Sequence, residues 1–200
     1  MPTRRLHLLR HAKSSWKEPI QSDHDRPLAP RGERALETVR AHVVEQQIAP
    51  DVVLCSTARR AIATLEGLRL STTRSATAAT TATTATTALS APARSAARTP
   101  VHYEPGLYSA SAADLIARLR DVDPAAGSVL VVGHNPALQM LILRLTAGRH
   151  AERPDLIDDV RTKFPTGALA TLTLDAEWSQ LSDGAARLQT FMRPRALQYA

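Results

Sequence analysis

The sequence predicts an α/β fold built in layers, with a largely parallel sheet. Two observations carry that prediction. Compact apolar runs at 4–9 (Arg-Arg-Leu-His-Leu-Leu), 51–55 (Asp-Val-Val-Leu-Cys) and 128–132 (Ser-Val-Leu-Val-Val) read as buried strands. Between them lie segments whose aliphatic residues recur at helical spacing. Strands that alternate with helices in this way build layered α/β domains.

The elements follow in order. The first strand runs into Arg10-His11, and a polar loop from Ala12 to Pro30 follows, punctuated by Pro19, Pro27 and Pro30. Leu36, Val39, Val43 and Val44 then share one face of a helix over 31–48, which Pro50 stops. After the second strand, Ser56 or Thr57 is placed to cap a helix carrying Arg59, Arg60 and Leu65 towards Leu70. Regular structure resumes near Val101, with a helix over 112–122 around Leu115, Ile116 and Leu119. The strand at 128–132 leads into Gly133-His134-Asn135-Pro136 and an apolar helix from Leu138 to Leu145. Two late strands are expected at 168–174 and 187–192.

The span 71–100 differs in kind. Ten Thr and ten Ala fill two-thirds of it, and Leu89 is its one large aliphatic residue. Such a segment buries too little apolar surface to offset the ordering of its backbone, so it reads as a disordered, low-complexity insertion. Extra loop length costs only about 0.6 kcal/mol per doubling, so the domain can carry it. The expectation is a single domain over 1–200 interrupted at 71–100.

With 200 residues, 44% hydrophobic and 22% charged, the chain can bury a substantial core. Aromatics make up only 4%, so that core should be aliphatic. The lone cysteine, Cys55, excludes an internal disulfide framework and any cysteine-cluster metal site. No apolar run reaches the roughly 18 residues needed to span a bilayer. The N-terminal stretch holds only a fragment of an apolar region, interrupted by His7, and does not read as a signal peptide. A soluble, reduced, cytoplasmic protein without a membrane partner is expected. The net charge is +6, and Arg74, Arg94 and Arg98 of the acid-free span 71–100 supply half of it. Elsewhere no basic cluster is interleaved with aromatics, as base stacking would require, so a nucleic-acid partner is not expected. The positive balance suits small anionic substrates.

The chemistry collects at strand ends. Arg10-His11 follows the first strand, Arg59-Arg60 lies one turn after the second, and His134 follows a later one. Ligands of parallel α/β sheets bind beyond the carboxyl ends of the strands, where such loops converge. Helices that start there aim their N-termini at the same crevice, which favours phosphate. The remaining histidines (His7, His24, His42, His102, His150) have no such placement and read as structural or surface residues.

Three motifs then resemble one family. Arg10-His11-Ala12-Lys13-Ser14 is similar to the Arg-His-Gly signature of the histidine phosphatase (phosphoglycerate mutase-like) superfamily. Ser56-Thr57-Ala58-Arg59-Arg60-Ala61 resembles its Ser-Pro-x-x-Arg-Ala element, and Gly133-His134-Asn135-Pro136 its second histidine block. The runs 8–16, 26–32 and 163–168 are closest to the SixA-like phosphohistidine phosphatase branch. The resemblance implies a three-layer αβα sandwich with a mostly parallel central sheet. It also implies that His11 is the nucleophile, that Arg10 and Arg60 grip the phosphoryl oxygens, and that His134 completes the pocket. Arg60 is the matching arginine because Ala61 follows it. Ser14 and Asn135 are candidate substrate contacts. No metal or other cofactor is implied, and the expected partner is a phosphohistidine-bearing protein or a small phosphorylated substrate.

Chemistry agrees with those roles. Phosphoryl transfer rests on positioning and charge neutralisation, which the bidentate guanidinium supplies at any working pH. An imidazole attacks only through an unprotonated nitrogen, and flanking guanidinium charges oppose its protonation. Three departures set limits. Ala12 replaces the usual glycine, Asn135 stands where an acid-phosphatase branch carries an aspartate, and no glutamate motif of the mutase kind is present. Glu104 is the nearest candidate general acid. A weak acid suits a good leaving group such as an imidazole, so mutase activity is not expected. Two other functions fit the same residues: a phosphatase of nucleotides or phosphorylated metabolites, and a non-catalytic phosphate-binding module.

Overall fold

In the computed structural model, residues 3–16, 22–74, 98–149 and 152–194 are described. The strands are β1 (Arg4–Arg10), β2 (Val52–Ser56), β3 (Thr72–Arg74), β4 (Thr99–Glu104), β5 (Ser128–Gly133), β6 (Leu169–Leu174) and β7 (Ala186–Met192). The helices are α1 (Pro30–Glu45), α2 (Arg59–Leu68), α3 (Ala112–Arg120), α4 (Ala137–Leu145) and α5 (Pro154–Thr162). One mixed sheet runs in the order β3-β4-β2-β5-β1-β6-β7. Its first five strands are parallel, and β6 and β7 are added antiparallel at the β1 edge.

Alternation along the central strands splits the core in two. Val129 and Val131 of β5, with Leu6 and Leu8 of β1, pack against Leu115, Leu141 and Val160 of α3, α4 and α5. Leu130 and Val132 face the other way, onto Val39 of α1 and Leu65 of α2. The architecture is therefore the expected three-layer αβα sandwich. The core is mainly aliphatic, with Trp178 and Phe164 its two large buried aromatics. Trp178 meets its polar obligation by donating Nε1–H to Ala126 O at 2.7 Å.

Several local expectations need correction. Helix α1 ends at Glu45 rather than Ile48: Gln47 turns left-handed (φ 50°), and the Ile48 N–H reaches back to Val43 O at 2.9 Å. That Schellman closure buries Ile48 and leaves Pro50 outside the helix. Neither Ser56 nor Thr57 caps α2, whose N-cap is Ala58 without a side-chain bond. The expected insertion is shorter than 71–100, because Thr72–Arg74 and Thr99–Glu104 pair as parallel strands. β-Branched threonine suits a pleated edge even where composition argues against a core. Residues 75–97 lie outside the described part of the chain. Helix α5 was not anticipated; Pro154 opens it, and Ile157 and Val160 are the two residues it buries. Helix α3 opens with a capping box in which Ser111 and Asp114 satisfy each other's backbone N–H groups.

Two glycines fix the segment after β1. A Cβ on Gly32 would stand 2.2 Å from Lys13 O, so the first turn of α1 packs directly on that backbone. Gly167 has φ +79° and donates its N–H to Arg10 O and His11 O at 3.0 and 3.1 Å. Both contacts need a residue without a side chain in that place.

Candidate active site

The parallel order β2-β5-β1 brings three carboxyl-end loops side by side. His11 continues β1, with its backbone N–H on Gly133 O at 3.1 Å. The Ala12 N–H donates to Thr64 Oγ1 (2.9 Å), and Thr64 Oγ1 donates to Arg60 O (2.6 Å), tying the loop after β1 to α2. His134 follows β5, and its ring centroid lies 5.0 Å from that of His11. Arg60, in the first turn of α2, is buried between them, whereas its neighbour Arg59 is exposed.

The imidazole of His11 is held in one tautomer. Its Nδ1 lies 2.7 Å from Ala12 O, and a carbonyl oxygen only accepts, so Nδ1 carries the hydrogen. Nε2 therefore presents a lone pair, towards which Arg60 Nε–H points at 3.3 Å. Burial, with smaller contributions from His134, Arg60 and Arg10, lowers the His11 pKa to about 3. The Ala12 carbonyl pulls the other way and does not prevail. His11 is thus a neutral base with a fixed lone pair at any physiological pH.

His134 makes two contacts. Arg60 Nη2–H donates towards its Nδ1 at 3.5 Å, and its Nε2 lies 2.9 Å from Ser56 Oγ. Burial and the Arg60 charge lower its pKa to about 4. A hydroxyl can donate or accept, so Ser56 accommodates either His134 tautomer. Ser56, expected to cap a helix, serves the site instead. Arg10 donates Nη1–H to Phe164 O at 2.6 Å, and burial followed by the nearby Arg60 charge lowers its pKa.

The other anticipated residues are placed as follows. Ser14 is buried, and its hydroxyl accepts from Arg26. Asn135 Nδ2 donates to Gln139 Oε1 (3.0 Å) and Phe164 O (3.2 Å); Arg10 uses the same carbonyl. Glu104 is not brought into this group: Arg118 grips both its carboxylate oxygens, at 2.9 and 3.0 Å from Nε. Cys55 is buried, and burial pushes its thiol up to about 12, so it offers no competing nucleophile.

Three residues at the rim were not singled out in the sequence. Asp23 accepts from Arg60, Arg26 and Tyr108, and hydrogen bonds from Tyr108 and Arg26 hold its carboxyl well below the usual range. Tyr108 sets its ring edge against His134, with centroids 5.4 Å apart. His24, read as a surface residue, packs its ring 5.2 Å from Tyr108 and bonds Thr57 Oγ1 at 3.0 Å. No group of three or more His, Cys, Asp or Glu side chains suited to a metal ion occurs among the described residues.

A family model for the histidine phosphatase superfamily (branch 1) matches residues 6–83, the stretch that holds Arg10, His11 and Arg60. An uncharacterised protein of Mycobacterium tuberculosis is 35% identical over 189 residues, 94% of this chain and 100% of that one. The chain belongs to the histidine phosphatase superfamily. Among solved structures, this superfamily member resembles one from Nakamurella multipartitia assigned to the phosphohistidine phosphatase SixA. The TM-score is 0.73 at 28% identity, covering 97% of this chain and 98% of that one. A second structure, assigned to SixA from Agrobacterium tumefaciens, aligns with TM-score 0.62 at 27% identity, covering 97% and 100%. No helix among the described residues is long and apolar enough to cross a membrane.

The buried histidines make the superfamily fold sensitive to acid. His7, in β1, bonds Thr171 Oγ1 through Nδ1 at 3.0 Å, and burial lowers its pKa to about 4. His7, His11 and His134 thus all titrate below the unfolded value of 6.5. Above pH 6.5 both states are neutral and stability is full. Below it the unfolded chain gains protons that the native state refuses, until pH falls through about 4 for His7 and His134 and about 3 for His11. Each such histidine removes up to about 1.4 kcal/mol per pH unit across that window. Thermal melts should therefore show Tm falling steadily from pH 6.5 to 4; a flat Tm between pH 7 and 5 would contradict it.

Proposed function

We propose that the chain is a metal-independent, cytoplasmic phosphatase that hydrolyses phosphohistidine on proteins through a covalent intermediate at His11. The observation that carries this reading is the neutral His11 ring, with Nδ1–H locked on Ala12 O and the Nε2 lone pair facing Arg60. A binding module has no use for a buried, tautomer-fixed nucleophile between two guanidiniums.

The steps balance as follows. Nε2 of His11 attacks phosphorus while Arg10 and Arg60 neutralise the phosphoryl oxygens. The P–N bond to the substrate imidazole breaks as the new P–Nε2 bond forms, and the leaving nitrogen takes a proton from water. His134, its Nδ1 facing Arg60 Nη2–H and its Nε2 on the Ser56 hydroxyl, completes the wall of the pocket beside the developing charge and orients Arg60 towards it. Water then attacks phosphorus, the P–Nε2 bond breaks, and orthophosphate leaves with His11 neutral again. Ser14 and Asn135 border this path as substrate contacts in the same reading. With Glu104 engaged by Arg118, a good leaving group is favoured, as a phosphohistidine imidazole is. Similarity to the two SixA-assigned structures supports phosphohistidine as the group that is cleaved. The second reading, a small-molecule phosphatase, draws on the same pocket and differs only in the leaving group.

The test offers purified protein a phosphohistidine peptide and p-nitrophenyl phosphate in parallel, with and without EDTA, and traps the intermediate by rapid quench. An acid-labile, alkali-stable phosphoenzyme, preference for the peptide and indifference to EDTA are expected. Preference for the ester moves the substrate to small molecules, and loss of activity in EDTA overturns metal independence.

A further inference from the structure

We propose that Asp23 is a positioning residue for the reaction: it locks Arg60 so that its Nε edge faces His11, and with Arg26 it sets the nucleophile loop in register with α2. The assignment rests on the phosphatase reading above and deepens it at the same site.

A guanidinium at the end of a long, flexible side chain has many rotamers, and useful phosphate binding needs one. Two acceptors on Asp23 remove that freedom. Its backbone carbonyl takes Arg60 Nη1–H at 2.7 Å, and its carboxylate Oδ2 takes Nη2–H at 3.1 Å. With both outer nitrogens engaged, the remaining Nε–H lies on His11 Nε2, where phosphorus would arrive.

Asp23 is itself held from two sides. The Tyr108 hydroxyl donates to Oδ2 at 2.7 Å, and Arg26 Nη1–H donates to Oδ1 at 2.6 Å. Arg26 is buried although charged, and spends its other donors on Ser14 Oγ and Ser15 O, just beyond the nucleophile. Its guanidinium carbon sits 3.3 Å above the Trp16 ring centroid, which closes the outer side. A continuous chain of charge-assisted bonds therefore links the loop after β1 to the first turn of α2 through one carboxylate. The two arginine side chains are 9% and 7% exposed, so both guanidiniums are held inside the fold, while the carboxylate that joins them is 42% exposed at the rim.

The carboxylate cannot be replaced by an amide. Asp23 receives donors on both oxygens, whereas asparagine would turn an NH₂ group towards one of them. Asp23→Asn is expected to lower kcat/KM for p-nitrophenyl phosphate about tenfold or more, since misplacing a catalytic group by about 1 Å can cost 10²-fold. KM and the inhibition constant for inorganic phosphate should both rise, and Asp23→Glu should recover part of the loss. Asp25→Asn, which removes an exposed charge two residues away, should leave kinetics unchanged. The double-mutant cycle decides the route: in an Arg60→Ala background, Asp23→Asn should add less than about twofold. Losses that multiply would overturn the assignment, as would wild-type rates or tighter phosphate binding in Asp23→Asn. Melting curves for each variant, with assays run well below Tm, separate misfolding from mispositioning. If the wild type is active and Arg60→Ala impaired while Asp23→Asn is not, the assignment of Asp23 fails alone; an inactive wild type removes the phosphatase reading itself.

Discussion

His11→Ala is expected to abolish turnover, with a loss on the order of 10⁴-fold or more, as when a covalent nucleophile is removed. Neither of the nearest alternative nucleophiles among the described residues can stand in. Cys55 is buried with its thiol pushed up to about 12, and the His134 ring is occupied by Ser56 and Arg60. The fold should survive, because the bonds that shape this loop are backbone ones, from His11 N to Gly133 O and from Gly167 N to His11 O. Steady-state assays with both substrates, a phosphoenzyme trap and a thermal melt check the result together. Retention of a tenth of wild-type activity in a folded variant would remove the central claim.

The second large effect separates two adjacent arginines. Arg60→Ala should cost about 10²- to 10³-fold in kcat, in line with loss of one preorganised charge-stabilising donor. Arg59→Ala, at an exposed position of the same helix, should stay within about twofold of wild type. Arg60→Lys should remain far below wild type, because a lysine keeps the charge but loses the planar fork that meets His11 and Asp23 simultaneously. Parallel kinetics of the three variants decide the matter, and the reverse order of Arg59 and Arg60 would mean that the phosphate grip lies elsewhere.

Much of this arrangement is legible before any coordinates. The central strands announce themselves as apolar runs, and Arg10, His11 and His134 follow them directly. Burial of Arg60 is also readable, though only through the family motif, since periodicity alone does not separate it from Arg59. The rest depends on contacts that no local pattern records. Asp23 meets Arg60 across 37 residues and Tyr108 across 85, and His134 finds Ser56 across 78. Helix α5 escapes because it buries only Ile157 and Val160, against four residues of the equally long α3 and five of α4, too few to show a periodic apolar face. The Ser111–Asp114 box, by contrast, was available as a serine three residues before an acid at a helix start. The edge strand β3 is hidden by composition: threonine and alanine signal a poor core, and an edge strand needs little core.

Strands β3 and β4 constrain the long connection between them. Parallel neighbours cannot be joined by a tight hairpin; the chain must return from the exit end of one strand to the entry end of the next. Strand β3 runs parallel to β4, β2, β5 and β1, so the chain leaves Arg74 on the same rim of the sheet as His11 and His134 and re-enters at Thr99 on the opposite rim. The connection from Arg74 to Thr99 therefore has a minimum length set by the sheet. Engineers who shorten it should cut between residues 75 and 97, keep enough chain to travel back, and leave 72–74 and 99–100 in place.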